Sequence, residues 1–328
     1  MLTPIMSAFL TALAAAAAAL AVSGVLAAVV VIGGSLYFYA VAVKRSRKDF
    51  LKGDPGLQQI LSVKPGASEE PAGDWLDRQP TEAWSLDSPD GLRLRALWLP
   101  AAAPTAKTVV LAHGYTSRGR DTAGFARFYR ESFGYNVLMP DARGHGESDG
   151  AYLGFGWPDR LDLLAWVDRA VERVGPRAAV VLHGISMGGA TVMMAAGEAL
   201  PPQVKAIVED CGYSSVAAEL SFQLRTRYGL PAFPFVPATS LLTKRRAGYS
   251  FYEASAVAQV RKADRPMLFI HGADDSFVPA AMLDEVYAAC PAPKQKYLVA
   301  GAGHAMAFSA DKEAYIARVG AFLAEYAG

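Results

Sequence analysis

Two hydropathy patterns divide the chain. Between Met1 and Lys44 no charged side chain occurs. A continuous helix there would be roughly 60 Å long, about twice the ~30 Å hydrocarbon core of a bilayer. The stretch predicts either one membrane span with an apolar extension or two short spans joined near Ser23-Gly24. From Trp84 the pattern becomes short apolar runs alternating with amphipathic segments. The runs cover 92–100, 108–114, 136–141, 178–184, 204–212, 266–272 and 295–301. The first, LRLRALWLP, alternates apolar and basic residues and predicts a half-exposed antiparallel strand. The later runs are continuously apolar, as strands buried on both faces are. Between them, Leu161, Leu164, Val167, Val171 and Val174 share one helical face. Tyr315, Ile316, Val319, Phe322, Leu323 and Tyr326 share another. Pro158 suits the first turn of its helix, where a missing N–H costs nothing. Such alternation predicts an α/β fold, a mostly parallel central sheet with helices on both faces. Ligands of such sheets bind beyond the carboxyl ends of the strands.

Two further segments break the rhythm. Phe50 to Ala83 is polar and rich in Gly and Pro, and reads as a tether between membrane and domain. Residues 213–264 separate two core strands by more than a crossover helix needs. They contain YGLPAFPFVPATSLL and then TKRR, and predict a small lid over the strand ends. The organisation expected is an anchor over 1–43, a basic flank and linker over 44–83, and a catalytic domain over 84–328 with its lid at about 213–264.

Charge refines this picture. The run KRSRK, Lys44 to Lys48, follows the apolar segment, and basic residues flanking a span stay in the cytoplasm. One span or two, residue 44 onward is expected on the cytoplasmic side. A secretory signal peptide is the competing reading, but no Lys or Arg precedes the run and the run is long. Overall, 32 Lys and Arg stand against 31 Asp and Glu. No global field or basic aromatic patch attracts nucleic acid. The two cysteines, Cys211 and Cys290, are too few for a disulfide framework and form no C-x-x-C pair. They read as buried small apolar residues.

Candidate chemistry gathers where the runs end. Gly184-Ile185-Ser186-Met187-Gly188 matches G-x-S-x-G between a buried-type strand and a helix. A strand turning sharply into a helix strains the central residue, and bulky neighbours would clash. The turn would lift the Ser186 hydroxyl clear of the sheet. A serine needs a base, and His304, in GAGHAMAF, is the one histidine beyond the last predicted strand. The base needs a carboxylate to fix its tautomer, and HGADDSFVP offers Asp274 and Asp275. The N–H groups of Met187 and Tyr115 are candidates to hold a developing oxyanion. His113 reads as a hydrogen-bonding support and His183 as a core histidine. DARGHGESDG reads as a tight, cross-linked loop without a chemical step. Phe233 and Phe235, among the lid prolines, are candidates for contact with an apolar group.

The motifs HGY at 113–115, DARGHGES at 141–148, GISMGG at 184–189, HGADDSFVP at 271–279 and GAGH at 301–304 together resemble the α/β-hydrolase superfamily. The chain most resembles its membrane-anchored Bem46-like serine hydrolases with a small lid, described both as esterases and as S9-type peptidases. In that family the acid lies in H-G-x-x-D-x-x-V-P, which selects Asp275 over Asp274. The chain order Ser186, Asp275, His304 is the order of this fold. The resemblance implies hydrolysis of carboxylic esters, thioesters or amides with no cofactor and no metal. An aspartate stands at the elbow of dehalogenases and epoxide hydrolases of this fold, and Ser186 stands here instead. The expectation is a membrane-tethered serine hydrolase acting on a small-molecule or lipid-like acyl substrate, its oligomeric state left open. Its rivals are a peptidase or amidase, and a catalytically silent binding module on a membrane stalk.

Overall fold

The structure is a computed structural model that describes residues 4–46 and 70–328. Most of the expected linker, with Arg47 and Lys48 of the basic flank, lies outside the described residues. Eight strands form one sheet: β1 Glu82–Asp87, β2 Arg93–Leu99, β3 Lys107–Ala112, β4 Asn136–Pro140, β5 Ala179–Ile185, β6 Val204–Asp210, β7 Met267–Gly272 and β8 Lys294–Val299. Their order is β1-β2-β4-β3-β5-β6-β7-β8. β1 pairs with β2, and β2 with β4, antiparallel; every other pair is parallel. The expected strands are all present. β1 was not expected; its alternation of exposed and half-buried positions is that of an edge strand.

The helices follow the crossovers. They are α1 Pro4–Phe38, α2 Ala72–Asp77, α3 Ala123–Phe133, α4 Asp159–Val174, α5 Met187–Ala195, α6 Val216–Tyr228, α7 Ala232–Ala247, α8 Ala256–Val260, α9 Ala281–Ala289, α10 Ala307–Ala310 and α11 Lys312–Tyr326. One apolar cluster joins Trp98, Val110, Leu182 and Phe269 to α4 and α5. A second, on the other face, joins Val109, Val181 and Ile270 to α3 and α11. In α11 the expected face is buried at Tyr315, Val319, Phe322 and Leu323. In α4 the buried face is Leu163, Trp166, Val167 and Ala170, one position away from the expected stripe, and Leu161 is exposed. Trp166 explains the shift, since its large ring takes the core position.

The segment expected to form a lid, 213–264, contains α6, α7 and α8. The proline-rich run of α7 is helical because of where its prolines fall. Phe233 has extended backbone, φ −87° and ψ 133°, so the helix proper begins at Pro234. Pro234 and Pro237 then sit at the first turn, where at most one helical hydrogen bond is lost.

α1 is a single helix that runs unbroken through Ser23-Gly24, long and apolar enough to cross a membrane. Residues 8–30 are exposed all round, whereas Ser35, Tyr39 and Val43 are buried against the domain. The helix ends in a π-turn, Tyr39–Val43, closed by a bond from the Lys44 N–H to the Tyr39 carbonyl (2.9 Å). A helix end leaves its last carbonyls without helical partners. Here the domain supplies them: the Tyr115 hydroxyl donates to the Ala42 carbonyl (2.7 Å), and the Leu153 N–H to the Val43 carbonyl (2.7 Å). Arg45 continues the joint, donating from its guanidinium to the carbonyls of Ser148 (2.7 Å) and Gly146 (2.8 Å). The end of α1, with Lys44 and Arg45 after it, is thus packed into the domain, whereas 44–83 were expected to form a flank and linker.

Candidate active site

Ser186 stands between β5 and α5 with φ 58° and ψ −116°, a conformation that costs of order 1–3 kcal/mol for a residue with a side chain. Its neighbours show why glycine flanks it. A side chain at Gly184 would strike the Gly188 carbonyl, and one at Gly188 the Ala112 carbonyl. The turn is held by the Ser186 N–H donating to the Asp210 carbonyl (2.8 Å) and the Ala190 N–H to the Ser186 carbonyl (3.0 Å).

Three residues far apart in the chain meet at this rim. Ser186 Oγ lies 2.8 Å from His304 Nε2, and His304 Nδ1 lies 2.7 Å from Asp275 Oδ2. The other oxygen of Asp275 accepts the N–H groups of Phe277 (2.9 Å) and Val278 (2.8 Å). Asp274, the alternative acid, is exposed and lies outside this chain of hydrogen bonds. Phe277 packs on the His304 ring at 4.9 Å between centroids. With Nδ1–H given to Asp275, His304 presents Nε2 as a proton acceptor toward the serine hydroxyl.

The charge pattern around this chain has physical causes. Burial alone would raise the Asp275 carboxyl, but hydrogen bonds from His271 and His304, together with their charge, hold it well below the usual range. For the other acids nearby, burial outweighs the hydrogen bonds and positive charges that oppose it. Burial pushes Glu209 up to about 8, Asp210 to about 6 and Glu219 to about 8. Asp275 is therefore the carboxylate most firmly held ionised beneath the site.

His271 is a neighbour that the sequence reading left without a role. Its Nε2 lies 3.2 Å from Asp275 Oδ2 and 3.0 Å from the Val278 carbonyl. Burial opposes its charge, but Asp275, Glu209 and the Val278 carbonyl together lift it to about 8. Two imidazoles thus share one carboxylate oxygen. The HG of HGADD was the only signal for it, and that dipeptide also ends two other strand runs.

The remaining histidines and the Asp141 loop take supporting places. His113 accepts the Ala142 N–H at Nε2 (2.9 Å) and donates from Nδ1 to the Gly114 carbonyl (2.8 Å). His183 is fully buried between the hydroxyls of Tyr129 (3.0 Å) and Tyr315 (3.2 Å), and burial pushes it down to about 3. Asp141 cross-links its loop by accepting the N–H groups of Gly119 (2.7 Å) and Glu147 (2.8 Å). Arg143 grips both Asp162 oxygens, each at 2.7 Å.

Met187 opens α5, and the first N–H groups of a helix have no partner within it. The HGY loop also borders the serine: a side-chain carbon at Gly114 would stand 3.5 Å from Ser186 Cβ. Tyr115 follows it and stacks on Phe155 at 5.3 Å.

Cys211, Asp275 and His304 each offer a ligand atom, all within 4.8 Å of one another. Burial and the nearby acids push the Cys211 thiol well above its usual range, and both His304 nitrogens are engaged. This donor set suits proton handling rather than metal ligation. Cys211 and Cys290 are both free and buried, as expected.

Above Ser186 opens a mostly apolar cleft that is continuous with solvent. Tyr115, Phe155 and Phe277 border the serine. The lid contributes Leu224, Phe235 and Val236, among others. Phe235 is thus in the cleft as expected, but Phe233 is not among its lining residues and is 77 % exposed. Its extended backbone ahead of the α7 helix leaves the ring outside the packed turn. Phe38, Val41 and Ala42, from the end of α1, also line the cleft, which the sequence reading did not anticipate.

The family profile described as the α/β-hydrolase fold matches residues 107–234. The Bacillus subtilis protein YqkD is 30% identical over 219 residues, spanning 67% of this chain and 72% of its own length. A Saccharomyces cerevisiae membrane protein, YNL320W, is 24% identical over 223 residues, 66% of this chain and 70% of that protein. Among solved structures, the Pyrococcus furiosus esterase Pf2001 superposes with a TM-score of 0.63 at 23% identity. The match covers 81% of this chain and 97% of the esterase. At that identity the likeness carries the fold alone. The chain belongs to the α/β-hydrolase fold family.

Proposed function

We propose that this protein is a membrane-anchored serine hydrolase of the Bem46-like group that cleaves carboxylic esters or thioesters of apolar acyl groups. Ser186 Oγ attacks the acyl carbonyl as His304 Nε2 takes its proton. Asp275 keeps Nδ1 protonated and stabilises the imidazolium. The N–H groups of Met187 and Tyr115 hold the oxyanion. His304 returns the proton to the leaving group, then activates the water that frees the acyl-enzyme.

The observation that carries the reading is the hydrogen-bonded chain from Ser186 Oγ through His304 to Asp275 at the floor of an apolar cleft. The exposed, uncharged surface of residues 8–30 supports the anchor, and Lys44 and Arg45 at its end support a cytoplasmic domain. The test is fluorophosphonate labelling of the full chain together with hydrolysis of p-nitrophenyl esters of graded length. Labelling lost in Ser186→Ala and a preference for longer acyl chains are expected. Absence of label would point to a silent binding module, and a preference for acetate alone would remove the apolar-acyl assignment. A reporter fused after Gly328 checks the orientation; a signal outside the cytoplasm would overturn it.

A further inference from the structure

The end of α1 does more than attach the enzyme. We infer that Phe38, Val41 and Ala42 form one wall of the acyl-binding cleft, and that the substrate is a membrane-resident acyl amphiphile whose chain slides along α1 and the lid from the bilayer to Ser186. The inference rests on the hydrolase reading above and gives its substrate a source.

Distance along one helix is the first argument. Residues 8–30 are exposed all round, and packing against the domain begins at Val31. Ala42 lies twelve residues beyond Val30, so at ~1.5 Å per residue the cleft wall stands within roughly 18 Å of the last fully exposed turn. Because the Ala42 and Val43 carbonyls are bonded to Tyr115 and Leu153, the helix cannot swing away without breaking those bonds. The cleft is therefore fixed near the lipid surface.

The lid presents a second argument. α7 lies across α1. A side chain at Gly34 would collide with the Phe235 ring, and Phe38 meets Phe235 edge-on at 5.9 Å. Arg246 caps the Tyr39 ring from 5.2 Å, so the start of α7 lies nearer the exposed part of α1 than its end does. Phe233, which the cleft does not use, projects exposed at that near end, with Leu241 (57 % exposed) on the same helix. Lys244, Arg245 and Arg246 follow as exposed cations at the far end. Apolar residues toward the hydrocarbon and basic ones toward the headgroups are the arrangement of an interfacial helix. Phe38 edge-stacks on Tyr228 at 5.2 Å, which ties α6 to the same helix. Both long lid helices and the anchor thus frame one apolar path.

Chemistry narrows the occupant. The cleft walls are mainly aliphatic and aromatic; their polar members are Thr239 on α7 and a ladder on α6, where Gln223 donates to Glu219 (2.8 Å) and Arg227 donates to Gln223 (2.5 Å). The other oxygen of Glu219 is buried and has no hydrogen-bond partner. A single acyl chain with a small polar junction at its ester fits such walls; a charged, fully water-soluble acid does not.

The test uses the full chain reconstituted in phosphatidylcholine vesicles. p-Nitrophenyl palmitate is placed either in the same vesicles or in separate ones, with p-nitrophenyl acetate in the water phase as reference. Hydrolysis of the palmitoyl ester should be at least ~10-fold faster in the shared bilayer, because an apolar chain leaves lipid for water at a high cost per methylene. In Val41→Trp, which fills the wall, the palmitate-to-acetate ratio of kcat/KM should fall at least ~10-fold, the equivalent of losing burial of about two methylenes. Phe38→Ala should move the optimum toward longer or bulkier chains. Equal rates from shared and separate vesicles, or an unchanged chain-length profile in Val41→Trp, would overturn the inference while fluorophosphonate labelling at Ser186 stays intact. Loss of both labelling and acetate hydrolysis in the unaltered protein would instead remove the hydrolase reading, and this inference with it.

Discussion

The two sides of Ser186 are built on opposite principles. Toward the sheet, His304, Asp275 and His271 are held by hydrogen bonds at the ends of neighbouring parallel strands, and the charges of Asp275 and His271 are set by their partners. Toward the lid, the walls are mostly apolar and come from α1, α6 and α7, which the central sheet does not contain. The first side depends on a few atoms and tolerates almost no change; the second depends on volume and can be retuned. A chemistry-bearing rim and an exchangeable wall are the division that lets one fold serve many substrates.

Substitutions should expose this contrast, and the largest effects lie at the rim. Ser186→Ala is expected to lower turnover by roughly 10⁵–10⁶-fold with thermal stability nearly unchanged, read by ester hydrolysis and thermal inactivation together. Asp275→Asn should follow, at about 10⁴-fold, because the carboxamide disturbs the His304 tautomer. A loss below tenfold would mean that His271 or another group takes over the orienting role. At the joint between rim and wall, Tyr115→Phe removes the hydroxyl that donates to the Ala42 carbonyl, at a cost of about 0.5–1.5 kcal/mol. We expect inactivation several degrees lower and a weaker preference for long acyl chains.

The smallest effect belongs to the cleft's buried acid. Burial lifts Glu219 to about 8, above its ordinary value. Its stabilising contribution is complete below that ordinary value and is lost as pH rises through about 8. Stability should therefore fall from the ordinary carboxylate range up to about pH 8 and level off above it, and Glu219→Gln should flatten that slope when inactivation temperature is followed against pH. An identical slope in the variant would assign the pH dependence to His271 or Glu209, which lie in the same range. The contrast sharpens if Glu219→Gln shifts stability far more than it shifts the Ser186 labelling rate.

Much of the rim was legible in the chain because its information is local. Each of Ser186, Asp275 and His304 follows a strand run, and a parallel sheet brings such ends to one edge. Steric need also writes itself locally: Gly184 and Gly188 are glycines because carbonyls occupy the space of a side chain. Asp275 was chosen over Asp274 only through the family pattern, since both aspartates follow the same strand. What blocks Asp274 is the local turn, whose two N–H groups close on Asp275. The α4 face was read one position off because a period marks a stripe without weighing the Trp166 ring against smaller side chains. β1 escaped because an exposed edge strand has little apolar signal.

By itself, the sequence determined the class of fold, the strand run behind each candidate residue, the glycine-flanked elbow and the apolar character of the N-terminal helix. These follow from periodicity and sterics within a few residues. Tertiary structure alone decided that His271 shares the Asp275 oxygen with His304, that Phe233 faces outward and that the end of α1 lines the cleft. The contacts behind them join distant segments: His304 reaches the Asp275 oxygen from 29 positions away, and Ala42 meets Tyr115 from 73. No local pattern encodes such pairings, because they depend on where whole elements come to rest after the chain has packed.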